Sequence, residues 1–247
     1  MVPSWSETLI KAQNLDFSNG ARFEVIGRTR FCIHPKDQVK SLPVVGGTKD
    51  IQWERLKSLN PDLLILDKDE NPRWMFDQAP CECLVTHVQD WTSMVQGLES
   101  LGQRLKSPSL LAMKERGQAL IDKPLETKIE KVFSLLKSQS LGQPNMNAKV
   151  NYIIWKDPWM VASDSTFIGD MLRRCGLANR FKDVEAKYPE VQLDELREGL
   201  NLFSSEPFPF HLKQEILQQM GLEGLLIDGE PLTWFGIRAL EFLEALR

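Results

Sequence analysis

The segment PSLLAMKERGQALIDKPLETKIEKVFSLLK, residues 108–137, separates two halves of the chain and differs from both in its sequence pattern. Its apolar residues recur at helical spacing, with no strand signal between them. Pro124 lacks a backbone donor and crowds the preceding turn, so we predict one long helix that is bent or broken there. A loop around Gly142 and Pro144 then precedes the next strand.

Both halves alternate short apolar, β-rich runs with amphipathic stretches. This pattern is typical of βα units around a mostly parallel sheet. The predicted strands cover residues 23–27, 43–45, 62–66 and 83–86 in the first half, and 150–155, 200–204 and 224–227 in the second.

A weak internal repeat relates the two halves. IQWERL at residues 51–56 precedes the predicted strand 62–66, and VQLDEL at residues 191–196 precedes the predicted strand 200–204. In both, an acidic residue opens a short helix, because carboxylates favour a helix N-terminus. The repeat indicates that the halves fold alike.

The predicted fold class is therefore α/β, with two similar lobes that each contain a mostly parallel sheet. We predict that a single long helix joins the lobes and that a ligand cleft lies between them. The expected domains are an N-terminal lobe at residues 1–107, the linking helix at 108–140 and a C-terminal lobe at 141–247.

Composition excludes several classes of protein. A net charge of −4 and a pI near 5.6 argue against nucleic-acid binding, which needs a basic face. No apolar stretch is long enough to span a membrane, and the first residues lack the pattern of a signal peptide, so we expect a soluble chain. Four unevenly spaced cysteines predict reduced thiols, which favours the cytoplasm.

Several segments resemble one family, the substrate-binding proteins for cobalamin and iron-siderophores, also called helical-backbone metal receptors. The resemblance covers almost the whole chain in order. It rests on VIGRTRFCIHP at residues 25–35, VGGT at 45–48, LNPDLLI at 59–65, WKDPW at 155–159, FIGDMLRRCG at 167–176 and DGEPLTWFG at 228–236.

The resemblance implies a binding protein and not an enzyme. Such a protein captures a corrinoid, a siderophore or a metal ion and delivers it to the permease of an ABC transporter, as a monomer that needs no cofactor. Family members usually carry a strand just before the segment that corresponds here to residues 2–7, and this sequence starts after it. The family is periplasmic or held on the membrane exterior; because no export signal is visible, the cytoplasm is the alternative.

A second class of function stays open at this point. The same scaffold could serve a cytoplasmic corrinoid- or metal-handling enzyme, or a sensor that does not transport its ligand. The sequence contains no phosphate loop, dinucleotide fingerprint, zinc-protease motif or nucleophile elbow, which argues against the chemistry that each supports.

In two-lobed α/β proteins the ligand lies beyond the carboxyl ends of the strands. The candidates at those positions include several aromatic side chains, which bury a flat ligand at little entropic cost. The predicted ligand-binding residues are Arg30, Cys32, His34, Gly47, Thr48, Glu70, Trp155, Trp159, Asp164, Glu206, Phe208, Glu230 and Trp234.

Each aromatic candidate has a structural alternative. Trp155 ends a strand and could belong to the core, whereas Trp159 follows a turn, which favours the cleft. Trp234 either lines the cleft or staples the last helix. Gly46 and Gly47 predict a tight turn with positive φ.

The polar candidates have alternatives too. If residues 31–34 are extended, Cys32 and His34 face the same side and could ligate a metal, with His34 as an axial ligand of cobalt. The alternative is a histidine bonded to a backbone carbonyl. Glu206 and Glu230 either coordinate a hard cation or are simply solvated.

Glu54 and Asp194 occupy matching positions in the internal repeat. The resemblance implies that one exposed acidic residue on each lobe docks on the permease, and these two are our candidates. The alternative is an ordinary charge at a helix N-terminus.

Overall fold

The computed structural model describes residues 1–18, 23–122 and 127–247. The chain forms two compact units. Unit 1 comprises Met1–Asp122 and Trp234–Leu240, and unit 2 comprises Lys123–Thr233 and Glu241–Arg247.

Unit 1 contains short helices and two regular strands. Its elements in chain order are α1 (Pro3–Phe17), α2 (Lys36–Val39), α3 (Trp53–Ser58), β1 (Leu63–Asp67), α4 (Arg73–Asp77), β2 (Glu82–Thr86), α5 (Trp91–Leu105) and α6 (Pro108–Asp122).

The sheet of unit 1 is parallel. Strand β1 pairs with β2 in parallel, from Leu63 opposite Glu82 to Asp67 opposite Thr86, which confirms two predicted strands. The predicted strands at residues 23–27 and 43–45 are wrong, because only an isolated parallel bridge joins Arg28 to Val44. A regular strand needs a continuous ladder, and no described strand flanks residues 23–27 on their other side.

Helices α1, α5 and α6 pack together in unit 1. Asp90 caps α5 by accepting a hydrogen bond from Ser93 N at 2.7 Å. The indole of the buried Trp91 donates to Gly117 O at 2.9 Å and so joins α5 to α6. Asp16, at the end of α1, accepts hydrogen bonds from Ser107 Oγ and from Ser109 N, which satisfies the first turn of α6.

The segment Trp234–Leu240 returns to unit 1 and binds to α1. Arg238 donates two hydrogen bonds of 2.9 Å to the two carboxylate oxygens of the buried Glu7. Ile237 N donates to Thr8 Oγ1 at 3.0 Å, and the Phe235 ring meets Trp5 edge-on at 4.9 Å. A part-buried ion pair and an aromatic contact therefore hold this segment in place.

Unit 2 is built on a five-stranded sheet. Its elements are α7 (Ile129–Leu135), β3 (Gln139–Leu141), β4 (Val150–Trp155), β5 (Met160–Val161), α8 (Phe167–Arg174), a 3₁₀ turn (Leu193–Arg197), β6 (Leu200–Ser204), a 3₁₀ turn (Phe210–Leu212), α9 (Gln214–Gln219), β7 (Gly224–Ile227) and α10 (Glu230–Thr233). Helix α11 (Ile237–Leu246) begins in unit 1 and ends in unit 2.

The strand order in unit 2 is β3-β7-β6-β4-β5. The three central strands are parallel and confirm the three predicted in this half, while the short edge strands β3 and β5 are antiparallel and were not predicted. Asn201 on the central strand donates to the backbone carbonyls of Leu196 at 2.7 Å and Glu223 at 2.8 Å, and accepts from Asn151 at 2.9 Å. One buried amide thus joins the amino-terminal ends of three parallel strands.

The internal repeat is present in the structure. Helix α3 precedes β1, and the 3₁₀ turn Leu193–Arg197 precedes β6. Strand β1 then pairs in parallel with β2, and β6 pairs in parallel with β7, the next strand of each repeat.

The predicted linking helix appears as two described helices. Helix α6 belongs to unit 1 and α7 to unit 2. Pro124, where we predicted a bend, lies outside the described residues. The boundaries at 107 and 140 and the role of this segment as a rigid link stay predictions.

All four cysteines are free thiols. Among the described residues, no helix is long and apolar enough to cross a bilayer.

Removal of the Arg238 guanidinium tests the contact that holds the C-terminal segment. Arg238→Met leaves the carboxylate of Glu7 buried and poorly paired, so we expect the free energy of unfolding to fall by about 2 kcal/mol in chemical denaturation. Arg197→Met, which removes an exposed ion pair to Asp194, is the control and should change it by less than about 0.5 kcal/mol. Equal effects of the two substitutions would contradict the assignment.

Candidate functional site

In unit 1 the loop after Arg28 is held by an exposed ion pair. Arg30 donates hydrogen bonds of 2.8 and 2.6 Å to the two carboxylate oxygens of Asp50. A Cβ atom on Gly47 would lie 2.4 Å from Arg30 Nη1 and 2.5 Å from Asp50 Oδ1, so a larger residue at this position would displace the pair. The predicted tight turn is present, with a φ of +135° at Gly46.

The Arg30–Asp50 pair also sets the protonation of its members. The hydrogen bond from Arg30 lowers the pKa of the Asp50 carboxyl below its usual range, and the same bond raises the pKa of Arg30. Both groups therefore stay charged at neutral pH. Arg30 is held beside the ring of Phe31, with its guanidinium carbon 5.7 Å from the ring centre.

We predicted that the side of residues 31–34 that carries Cys32 faces a ligand, but in the structure Cys32 faces inward and its neighbours Phe31 and Ile33 face outward. Cys32 is fully buried, with its sulfur 3.0 Å from Ser6 Oγ and 3.1 Å from Thr29 Oγ1, so the prediction that it contacts ligand is wrong. Phe31 and Ile33 are 50% and 46% exposed instead. The segment is not a strand, because Cys32 N bonds back to Thr29 O in a turn. Cys32 and His34 consequently do not form a ligand pair on one surface.

His34 contacts Trp234. The two rings meet edge-on with centres 5.3 Å apart. The guanidinium of Arg238 lies 5.6 Å from the centre of the Trp234 ring. Trp234 is buried and packs between a histidine and the first turn of α11, which favours the helix-staple interpretation over a wall open to ligand.

Thr48 and Glu70 lie near the buried side-chain amide of Asn71, which bonds to Thr48 and directly follows Glu70 in the chain. Asn71 Nδ2 donates to Thr48 O at 2.9 Å, and Asn71 Oδ1 accepts from Asp67 N at the end of β1. Burial raises the pKa of Glu70, and the nearby carboxylates of Asp67 and Asp69 raise it further against the effect of Lys49. Glu70 therefore takes up a proton more readily than an ordinary exposed glutamate.

The aromatic candidates of unit 2 separate into surface and core. Trp155, at the carboxyl end of β4, is 39% exposed and meets Phe208 edge-on at 5.6 Å. Trp159 is only 8% exposed and stacks on Phe210 at 6.1 Å within the hydrophobic core. The cleft position predicted for Trp159 is therefore wrong, because the turn after Asp157 directs this side chain inward.

Glu206 and Glu230 follow β6 and β7. Thr233 Oγ1 donates to Glu206 Oε1, and Ser204 Oγ donates to the backbone carbonyl of Glu206 at 2.6 Å. Glu230 opens α10, where its N–H donates to Asp228 Oδ1 at 3.3 Å. Both residues follow strands of the sheet closely, Glu206 in a loop and Glu230 at the start of α10.

Asp164 lies in the loop before α8, and Thr166 caps the N-terminus of that helix. Its Oδ1 atom is buried and has no hydrogen-bond partner among the described residues. A buried acceptor without a partner is unfavourable and would be satisfied by a donor brought from outside the unit. This agrees with a role in ligand contact, which stays a prediction.

The predicted docking residues are exposed on matching elements. Glu54 lies in the first turn of α3, with Lys57 at 2.9 Å, and Asp194 lies in the 3₁₀ turn before β6, with Arg197 at 3.3 Å. The backbone at the start of that turn is capped by Glu195. Asp194 is thus not needed for capping.

No group of three or more histidine, cysteine, aspartate or glutamate side chains is placed to hold a metal ion in the part of the chain that the structure describes. The proposed ligation by His34 therefore has no supporting cluster there.

Two candidates have partners that the sequence does not predict, since Asp50 binds Arg30 and Thr233 binds Glu206. The Glu7–Arg238 pair was not predicted either. None of these pairs follows a local motif, and only a fold brings them together. The exposed Phe31 could have been found, since a large apolar residue beside two arginines is poorly explained by packing.

A family model for periplasmic binding proteins matches residues 13–198, about three quarters of the chain. The chain belongs to the periplasmic binding protein family. No curated protein sequence matches it significantly.

Solved structures show the same two-lobed α/β fold, which confirms the predicted fold class. The vitamin B12 binding protein BtuF of Vibrio cholerae has a TM-score of 0.68 at 15% identity, covering 100% of this chain and 92% of its own. A periplasmic heme binding protein from Pseudomonas aeruginosa has a TM-score of 0.72 at 19% identity, covering 98% of this chain and 88% of its own. IsdE of S. aureus complexed with heme has a TM-score of 0.69 at 14% identity, covering 98% of this chain and 94% of its own.

A pair of tryptophan substitutions separates surface from core in unit 2. Trp159→Ala should lower the free energy of unfolding by about 3–5 kcal/mol, because it leaves a cavity among buried rings. Trp155→Ala should lower it by about 1 kcal/mol or less, because this side chain is part-exposed. Denaturant titration of both variants measures the difference, and a larger loss for Trp155→Ala would contradict the placement.

Proposed function

We propose that this periplasmic binding protein captures a corrinoid, haem or a related metal chelate and delivers it to the permease of an ABC transporter. The observation that carries the proposal is the part-exposed Trp155, which contacts the partly buried Phe208 at the carboxyl end of the unit 2 sheet. The function is reversible binding, with no chemical step on the ligand.

The aromatic pair suits a flat ligand. Ring faces bury a large area of a macrocycle, and few side-chain rotamers are lost when they do so. In unit 1 the part-exposed Phe31 and the charged Arg30 would add an apolar contact and a partner for a ligand carboxylate or amide. We assign these residues to ligand contact, together with Glu206, Glu230 and Asp164.

A chelate is a better candidate than a bare ion. Hard and borderline metal ions need several convergent oxygen, nitrogen or sulfur ligands, and the described residues offer no such cluster. A macrocycle or siderophore supplies its own. The relatives named above bind vitamin B12 or heme, which agrees with this class of ligand.

Delivery requires a partner in the membrane. Glu54 and Asp194 are exposed and sit at equivalent positions of the internal repeat, and rim charges of this kind steer encounter and orientation. We propose that the two residues dock on the permease. The protein would then act as a monomer on the periplasmic or exterior side of a membrane.

Calorimetric titration tests the ligand class. We expect heat with cyanocobalamin, hemin or a ferric catecholate siderophore, and none with zinc chloride. Trp155→Ala should weaken binding of the active ligand by about tenfold. Trp74→Ala is the matched control, because Trp74 is equally exposed but lies on α4 of unit 1, and it should leave the affinity unchanged.

Two outcomes of that titration would overturn the proposal. Heat with zinc alone would indicate a metal-ion receptor. Silence with all four compounds would favour an enzyme or a sensor on the same scaffold.

Charge reversal tests docking. The double variant Glu54→Lys with Asp194→Lys should weaken binding to the cognate permease in lipid nanodiscs by at least about tenfold, while ligand affinity is kept. Asp37→Lys with Glu215→Lys reverses one exposed charge on each unit and is the control. Equal permease binding by both double variants would remove the docking assignment.

A further inference from the structure

The internal repeat extends to the helix that follows each docking candidate. In unit 1, α4 lies between β1 and β2, and in unit 2, α9 lies between β6 and β7. Phe76 of α4 follows Glu54 by 22 residues, and Ile216 of α9 follows Asp194 by 22 residues as well. The two apolar residues therefore occupy equivalent positions of the repeat.

Both of these apolar residues are exposed. Phe76 is 43% exposed and Ile216 is 41% exposed, although an apolar neighbour in each helix, Met75 or Leu217, is buried in the core. A single exposed apolar side chain needs no explanation. Similar exposure at equivalent positions of two halves, with different side chains, indicates that the two halves use this position for the same purpose.

In unit 1 a pair of tryptophans connects the docking candidate to α4. Trp53 directly precedes Glu54 and packs, partly buried, against the core. Its ring meets that of the exposed Trp74 edge-on, with centres 6.2 Å apart. An exposed carboxylate and two aromatic rings thus form one continuous surface.

Phe76 lines a groove of about 600 Å³ on unit 1. The other apolar residues of its lining are Leu66, Pro72 and Val85. Arg73 lies 5.1 Å from the centre of the Phe76 ring, and Asp77 compensates its charge at 2.9 Å. The groove therefore offers apolar side chains of a partner protein a largely uncharged surface.

In unit 2, Arg197 connects the docking candidate to α9. Its Nε atom donates to Asp194 Oδ1 at 3.3 Å, and its Nη2 atom donates to Met220 O, just after α9, at 3.4 Å. Leu212, just before α9, is 70% exposed. Leu193 precedes Asp194 as Trp53 precedes Glu54, and it too packs partly buried against the core.

We propose that each unit docks on the permease through its acidic residue and an apolar patch next to it. The patch of unit 1 is Trp74 with Phe76, and the patch of unit 2 is Leu212 with Ile216. This inference rests on the proposed function, which assigns docking to the acidic residues alone.

Charge alone does not account for stable docking. Exposed ion pairs contribute little affinity and mainly steer encounter, whereas apolar contacts that exclude water supply most of the binding energy of an interface. The acidic residue of each unit calls for a basic group on the permease, and the patch beside it calls for apolar side chains next to that group.

The double variant Phe76→Ser with Ile216→Ser tests the patches. It should weaken binding to the cognate permease in lipid nanodiscs by at least about tenfold. Because no charge changes, the affinity of this variant should keep the salt dependence of the unaltered protein between about 0.05 and 0.5 M sodium chloride. Charge reversal at Glu54 and Asp194 should instead reduce that dependence.

Two further double variants serve as controls. Phe76→Leu with Ile216→Val keeps apolar contacts and should bind the permease within about threefold of the unaltered protein. Leu111→Ser with Met146→Ser removes one similarly exposed apolar residue from each unit and should leave permease binding unchanged. All variants should keep their affinity for the transport ligand.

Unchanged permease affinity of the Phe76→Ser, Ile216→Ser variant, or an equal loss in the Leu111→Ser, Met146→Ser control, would overturn the inference. Dimerisation of the unaltered protein that the Phe76→Ser, Ile216→Ser variant abolishes would assign the patches to a second copy and also overturn it. The proposed function fails separately, when the unaltered protein does not bind the permease, before any variant is compared.

Discussion

The part-buried ion pair between Glu7 and Arg238 is the constraint on which unit 1 depends. It fixes the C-terminal segment against α1. Two ring contacts connect Arg238 to His34, one of the candidate residues. Arg238 lies over Trp234, and Trp234 meets His34. A carboxylate near the start of the chain therefore sets the position of a histidine that the sequence suggested as a ligand.

The distribution of aromatic side chains separates stability from recognition. Unit 2 buries Trp159 and Phe210 in its core and leaves Trp155 part-exposed at the end of a parallel strand. Burial of the first two stabilises the sheet whatever the ligand is. A part-exposed tryptophan contributes less to folding, and we propose that Trp155 serves ligand binding instead.

Local patterns predicted the regular elements well and the side-chain directions poorly. Apolar runs such as residues 200–204 are buried on both faces and pair as expected. Residues 23–27 are also a short, mainly apolar run, but they lack a ladder of partners, which no local pattern reveals. Cys32 faces inward because Ser6 and Thr29 bind its sulfur, and Arg238 finds Glu7 across almost the whole chain. Such contacts are set by tertiary structure, beyond the reach of periodicity.

The discontinuity of unit 1 has a consequence for biosynthesis. Its last piece, Trp234–Leu240, is translated after nearly all of unit 2. On the ribosome, the half of the chain that emerges first therefore lacks the partner of Glu7 until synthesis is almost finished, and the half that emerges second can complete its sheet earlier. Neither unit has its full sequence until residues 234–247 have been made.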